Sequence, residues 1–106
     1  MRGRRRTILI SPEALGDLID IWTELASAAS TDKADERLRE IDRVCARLVD
    51  DVPLDGRERN ELASGLRSIF HHPHVVFYRA TETSIEIVRI IHFRRDIDAL
   101  FDAPKQ

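Results

Sequence analysis

The first part of the chain carries apolar side chains at the three- and four-residue spacing of an amphipathic helix. Ser11-Pro12-Glu13 supplies a hydroxyl N-cap, a proline for the first turn and an acid near the positive end of the helix dipole. The apolar positions that follow at this spacing are Leu15, Leu18, Ile19, Trp22, Leu25, Ala26 and Ala29. At 100° per residue they fall within an arc of about 120°. This pattern predicts a surface helix that buries one stripe centred on Trp22, with Asp17, Asp20 and Glu24 on the solvent side.

A second helix is predicted to begin at Thr31-Asp32 and to continue as far as Val52. Its apolar positions alternate four and three residues apart and are Ala34, Leu38, Ile41, Cys45, Leu48 and Val52. The short connection between two amphipathic helices indicates an antiparallel helical hairpin. Because Cys45 lies inside the apolar stripe, we interpret it as a buried structural thiol rather than a reactive one.

After Gly65 the pattern changes to short runs rich in β-branched and aromatic residues, which is typical of strands. The predicted strands are 66–71, 75–79 and 85–92, with a further short strand at 7–10. The connections are a polar loop at 57–61, a turn at 72–73 and a polar turn at 81–84, and a single helical turn is predicted at 96–101. In an ideally alternating strand, Arg89 shares a face with Ile85, Ile87 and Ile91.

The resulting order, β-α-α-β-β-β, predicts an α+β fold with the helical hairpin packed on a small, mainly antiparallel sheet. A length of 106 residues fits a single domain, 1–106, with a basic segment at 1–5 and a flexible tail at 102–106. The apolar stretch after the N-terminal arginines is too short for a signal peptide, and no run approaches the roughly 20 residues of a membrane span. One cysteine excludes an internal disulfide framework. We therefore expect a cytoplasmic protein.

The net charge of −2 conceals an uneven distribution along the chain. Residues 11–65 carry seven Lys or Arg against fourteen Asp or Glu, a balance of −7, whereas 66–95 carry five Arg against two Glu, a balance of +3. All four histidines lie in the basic stretch. This asymmetry predicts an anionic or polar partner on one side of the molecule only.

The sequence contains no pattern that predicts a cofactor or a metal. The four glycines are scattered, so they form no phosphate-binding loop, and no Gly-x-Ser-x-Gly elbow is present. In His71-His72-Pro73-His74 the proline puts a turn between the imidazoles, which favours structural or exposed histidines over a metal site. A patch for phosphate or carboxylate remains as one hypothesis, formed by Arg67, Arg79, Arg89, His92, Arg94 and Arg95. The alternative is that Arg67 and Arg89 pair with acids of the loop or tail.

Several segments, in order, resemble the ParE branch of the RelE/ParE superfamily of toxins from bacterial toxin–antitoxin modules. The resemblance covers residues 6–101. Its segments are 11–14, 17–22, 52–57, 65–67, 74–79 and 85–92, followed by Arg95-Asp96. The sequence departs from the family at Phe93, where members often have a small or polar residue.

The resemblance implies a toxin that a neighbouring ParD-like, ribbon-helix-helix antitoxin neutralises and that inhibits DNA gyrase without catalytic residues of its own. The RelE branch implies an alternative, ribosome-dependent cleavage of mRNA, for which the candidates are His92, Tyr78, Arg67 and Arg89. A third hypothesis is an antitoxin-binding protein that has lost its toxicity. We expect no membrane partner, and direct binding of nucleic acid is left open as the less favoured contact.

The C-terminal part adds an apolar surface to this expectation. Phe93, Ile97, Leu100 and Phe101 make a tail that is too apolar for solvent, and such patches usually mark partner sites. The candidate partner-binding residues are therefore Arg67, Arg79, Arg89, His92, Phe93, Arg94, Arg95, Leu100 and Phe101.

Overall fold

The computed structural model describes residues 6–50 and 56–101 and confirms the predicted α+β fold. In chain order the elements are β1 (Thr7–Ile10), α1 (Pro12–Ala28), α2 (Thr31–Arg47), β2 (Arg57–Glu58), β3 (Arg67–His71), β4 (His74–Ala80), β5 (Ser84–His92) and α3 (Ile97–Phe101). Within the described residues the strands form one sheet in the order β1-β5-β4-β3-β2. Only β1 runs parallel to its neighbour, β5. The helical hairpin α1–α2 lies against this sheet, with α1 on β5.

Side-chain caps start both long helices. The Ser11 hydroxyl accepts a hydrogen bond from the Ala14 amide at 2.9 Å and donates one to the Val88 carbonyl at 2.8 Å, so the start of α1 is attached to β5. Ser30 caps α2, one residue before the predicted start. The second helix ends at Arg47, not at Val52 as predicted, and Val52 itself lies outside the described residues.

Two hydrophobic clusters fill the two faces of the sheet. The cluster under the helices includes Ile21, Ile41, Val44, Tyr78, Ile85, Ile87 and Ile90. The cluster on the opposite face consists of Leu66, Val75, Phe77 and Ile91, and the side chains packed against it include Leu62, Ile97, Leu100 and Phe101. The ring of Phe101 lies 4.8 Å from that of Phe77, centroid to centroid. The tail therefore covers the chain's own second core, which corrects the expectation that a partner must cover Leu100 and Phe101.

The buried stripe of α1 is narrower and rotated relative to the prediction. Ala14 and Ile21 are buried, whereas Leu15 is 53% exposed and Ile19 is 58% exposed. Trp22 is only half-buried, and its indole N–H donates to Asp35 Oδ1 at 2.8 Å instead of lying at the centre of the core. The apolar arc of α1 is wider than the part that the sheet covers, and periodicity alone does not say which part faces inward.

A bulge in β5 changes the predicted alternation of its side chains. Phe77 pairs with Arg89 and Tyr78 pairs with Ile87, so Val88 is an extra residue on β5. One extra residue moves everything after it to the other face. Ile90, rather than Ile91, consequently joins the core under the helices, and the predicted common face of Ile91 with Ile85 and Ile87 is wrong.

Residues 57–61, predicted as a loop, begin with a two-residue strand. Arg57 pairs with Ser68 and Glu58 with Arg67, which makes β2 the outermost strand beside β3. The preceding Gly56 has φ +91°, and a Cβ there would lie 2.3 Å from the Ser68 carbonyl oxygen. Only glycine fits so close to the neighbouring strand in this conformation. Two paired residues are too few to produce a period-two pattern in the sequence.

Candidate functional site

The predicted basic residues do not form one patch. In the sheet, His92 pairs with His74 at the start of β4, and Arg79 lies at the other end of β4 opposite Glu86. Arg79 is five positions after His74 in this strand, which corresponds to about 16 Å. His92, Phe93, Arg94 and Arg95 therefore lie at one end of the sheet, and Arg79 lies at the other, as does Arg67, which pairs with Tyr78.

The arginines at the β2 end support the loop beside them. Arg67 Nη2 donates to the Gly56 carbonyl at 3.1 Å, and its Nη1 lies 3.6 Å from Glu58 Oε2. Arg79 Nε donates to the Ser64 carbonyl at 3.2 Å. The alternative interpretation of Arg67, pairing with an acid of the loop, matches this geometry.

Arg89 is held by an acid of α1. Its Nε and Nη2 donate to the two carboxylate oxygens of Asp17 at 2.8 and 2.9 Å, and Asp17 also accepts the backbone N–H of Ile90 at 2.8 Å. The hydrogen bond to Asp17 raises the pKa of Arg89 above its usual value. The sequence predicted that Asp17 faces solvent, but its side chain faces the sheet, because it lies at the border of the buried arc of α1. Arg89 is a structural cation in this arrangement rather than a free contact residue.

The residues named for RNA cleavage are not brought together. Tyr78 is fully buried and lies opposite Ile87, whereas His92 lies opposite His74, about 13 Å further along β4. The neighbour of His92 is instead His74, with ring centroids 5.7 Å apart. His74 is buried, and this burial, followed by the charge of Arg37, lowers its pKa to about 4, so the ring is neutral at pH 7.

A cavity of about 200 Å³ beside these histidines carries both signs of charge. Asp20 and Glu24 of α1 line one side, and His74, His92 and Arg95 line the other. Among the described residues, no three His, Cys, Asp or Glu side chains are grouped so that they could hold a metal ion.

Cys45 is buried, as the sequence predicts. Desolvation, followed by the negative charge of Asp42, raises the pKa of its thiol to about 11. The thiolate required for nucleophilic or redox chemistry is therefore scarce at neutral pH.

An exposed group of rings and one guanidinium lies at the His92 end of the sheet. We call it the aromatic–arginine cluster, and its members are Phe70, His72, His92, Phe93 and Arg94. Phe93 stacks on His92 with centroids 5.1 Å apart, and the Arg94 guanidinium lies over Phe93 at 5.5 Å. Phe70 meets Phe93 edge-on at 6.1 Å and His72 at 6.0 Å. Sequence reasoning missed Phe70 and His72. The signal was the turn at 72–73, which joins β3 to β4 and so brings the end of β3 to the same end of the sheet as the end of β5.

Comparison with known proteins identifies the family. The profile described as "ParE toxin of type II toxin-antitoxin system, parDE" matches residues 8–97. The chain belongs to the ParE toxin family. It is similar to Toxin ParE1 of Mycobacterium tuberculosis (strain ATCC 25618 / H37Rv), with 35% identity over 91 residues, 85% of this chain and 92% of the relative. Toxin ParE1 of Caulobacter vibrioides is 31% identical over 83 residues, 78% of this chain and 84% of the relative.

A solved structure titled "Chromosomal ParDE TA system from P. aeruginosa" has the same fold. It superimposes with a TM-score of 0.70 at 21% identity and covers 83% of this chain and 96% of that chain. The resemblance to ParE toxins noted in the sequence is confirmed, and the protein is the toxin component of a type II toxin–antitoxin system. Within the described residues, no helix of this ParE-family toxin is long and apolar enough to cross a membrane.

Proposed function

We propose that this ParE-family toxin acts by binding DNA gyrase in the cytoplasm and inhibiting it, and that it is not an RNA-cleaving enzyme. Membership of the ParE family carries the choice of gyrase as target. The separation of Tyr78 from His92 by about 13 Å along β4, with Tyr78 fully buried, argues against RNA cleavage. General acid–base cleavage needs a proton donor and a proton acceptor that both reach the substrate. An exposed contact surface, by contrast, is present in the aromatic–arginine cluster.

The pair formed by His74 and His92 is the only arrangement among the described residues that favours the nuclease alternative. The two rings are close enough to flank a scissile phosphate, and Arg95 lines the same cavity. His74, however, is buried, and the carboxylates of Asp20 and Glu24 on the facing wall would repel a phosphate. Binding therefore remains the better-supported mode of action.

We also propose that a ParD-like antitoxin of the ribbon-helix-helix class neutralises the toxin. The family description itself names the parDE system. On this chain, Leu15 and Ile19, which lie four residues apart on one face of α1, are both more than half exposed. Exposed apolar patches of this kind mark partner sites. Saturating antitoxin should raise the melting temperature of the toxin, because a ligand that binds only the native state stabilises it.

Induced expression of the toxin without its antitoxin tests the mode of action. We expect growth arrest, a DNA-damage response and chromosomal breaks, with mRNA intact, and we expect co-expressed antitoxin to restore growth. Cleaved mRNA with an unbroken chromosome would contradict gyrase inhibition and support the nuclease alternative. Normal growth would support the third hypothesis, a protein that binds antitoxin and has lost its toxicity.

A further inference from the structure

The aromatic–arginine cluster exposes rings that a folded protein normally buries. Phe70 is 57% exposed and Phe93 is 40% exposed. The backbone beneath them is fixed by hydrogen bonds: the Phe93 amide donates to the Pro73 carbonyl at 2.9 Å, and the Arg94 amide donates to His92 Nδ1 at 3.1 Å. A partner would therefore meet rings that are already in place and lose little conformational entropy in ordering them.

Two arginines at this end of the sheet, Arg94 and Arg95, add positive charge beside the rings. Arg94 and Arg95 are exposed, and neither forms an ion pair with a carboxylate of residues 6–50 or 56–101. The nearest acid in sequence, Asp96, accepts the Ala99 amide at 3.2 Å in the first turn of α3. Exposed aromatic rings beside arginine are typical of binding hot spots, and the two guanidiniums make the surface complementary to an anionic group.

A protein segment fits this surface better than a nucleic acid does. His92 stacks on the ring of Phe93, and the Arg94 guanidinium lies over the same ring. Little of the ring face is therefore free for stacking with a nucleic-acid base. Asp20 and Glu24 line the adjoining cavity together with Arg95. Those acids would repel a backbone with a phosphate at every nucleotide, but they leave room for a segment with one or two carboxylates.

We propose that the aromatic–arginine cluster binds the toxin's protein target, and that the occupant is a segment that presents a carboxylate beside an apolar side chain. The carboxylate would pair with Arg94, and the apolar side chain would cover Phe70. The inference rests on the proposed function, because it specifies where an inhibitory toxin contacts its target. The exposed pair Leu15 and Ile19 on α1 lies outside this cluster and remains for the antitoxin.

The test compares Phe70→Ala and Arg94→Glu with two matched controls. Leu9→Ala removes a similarly exposed apolar side chain from β1, and Arg43→Glu reverses an exposed arginine on α2. Each variant is measured for melting temperature, for binding to the ParD-like antitoxin and for inhibition of supercoiling by the gyrase holoenzyme. We expect the two cluster variants to fold, to bind antitoxin and to inhibit gyrase at least about tenfold more weakly than wild type. We expect the controls to inhibit like wild type.

Three results with the variants would each overturn the inference. The cluster variants could inhibit gyrase as well as wild type does. They could lose antitoxin binding but still inhibit gyrase. The control variants could lose as much inhibition as the cluster variants. A short single-stranded oligonucleotide that binds wild type but not Phe70→Ala would also overturn it, in favour of a nucleic-acid occupant. If wild type itself leaves gyrase unaffected, the gyrase proposal fails separately. In that case growth arrest on induction tests the inference. Growth arrest that is lost in the cluster variants alone supports the inference, and growth arrest that persists in those variants overturns it.

Discussion

Replacing Asp17 by alanine tests the most heavily engaged carboxylate at the contact between α1 and β5. The side chain is 11% exposed and accepts three hydrogen bonds, two from Arg89 and one from the Ile90 amide. Breaking a buried ion pair costs about 3–5 kcal/mol, and an unsatisfied buried N–H costs about 1–3 kcal/mol. Because Arg89 keeps some access to water, we expect the lower end, a loss of about 3 kcal/mol in the free energy of unfolding. That is a large part of the ~5–15 kcal/mol of a domain.

Urea unfolding of Asp17→Ala measures this loss, with Asp20→Ala as the control. Asp20 is an exposed acid of the same helix, so its removal should change stability by no more than about 0.5 kcal/mol. A double-mutant cycle with Arg89→Ala should give a coupling energy above about 1 kcal/mol. A loss below about 1 kcal/mol for Asp17→Ala would place the contact among ordinary surface ion pairs and refute the reasoning.

Three further changes test the core and the turns. Trp22→Ala should cost about 1–2 kcal/mol in urea unfolding, less than the ~3–5 kcal/mol of a fully buried ring, and a larger loss would restore Trp22 to the core. The pKa of His74 is about 4 in the folded protein against 6.5 for an ordinary histidine. The free energy of unfolding should therefore be highest above pH 6.5 and fall by roughly 3 kcal/mol as the pH drops toward 4. A pH series that compares wild type with His74→Leu should show a smaller fall in the variant. Gly56→Ala should lower the melting temperature more than Gly65→Ala, since both have positive φ but only Gly56 adjoins another strand; equal effects would show that this close approach costs nothing.

The parts of the fold that the sequence predicts are those with a regular period. The two helices begin at hydroxyl caps, and β3, β4 and β5 coincide with runs of β-branched and aromatic residues. The width of an apolar arc, however, does not specify its orientation. On α1 the pattern predicted that Leu15 and Ile19 are buried and that Asp17 is exposed. The sheet instead covers the half of the arc that contains Ala14 and Ile21.

The candidate site depends on pairing between strands, which a single sequence does not encode locally. The bulge at Val88 reverses the faces of the residues that follow it, and the contact between Arg89 and Asp17 joins residues 72 positions apart in sequence. Likewise, Phe70 and Phe93 are 23 positions apart in sequence and meet only through the register of two hairpins. Phe93 was recognisable in the sequence as a departure from the family, but its neighbours in space were not.

The central claim, that this toxin inhibits gyrase by binding and does not cleave RNA, is tested most directly with purified wild-type protein in two parallel reactions. One reaction contains gyrase holoenzyme, ATP and relaxed plasmid, and the other contains translating ribosomes with a defined mRNA. We predict loss of supercoiling, relieved by antitoxin, in the first reaction and full-length mRNA in the second. Normal supercoiling together with cleavage of the mRNA, abolished in His92→Ala, would contradict the account.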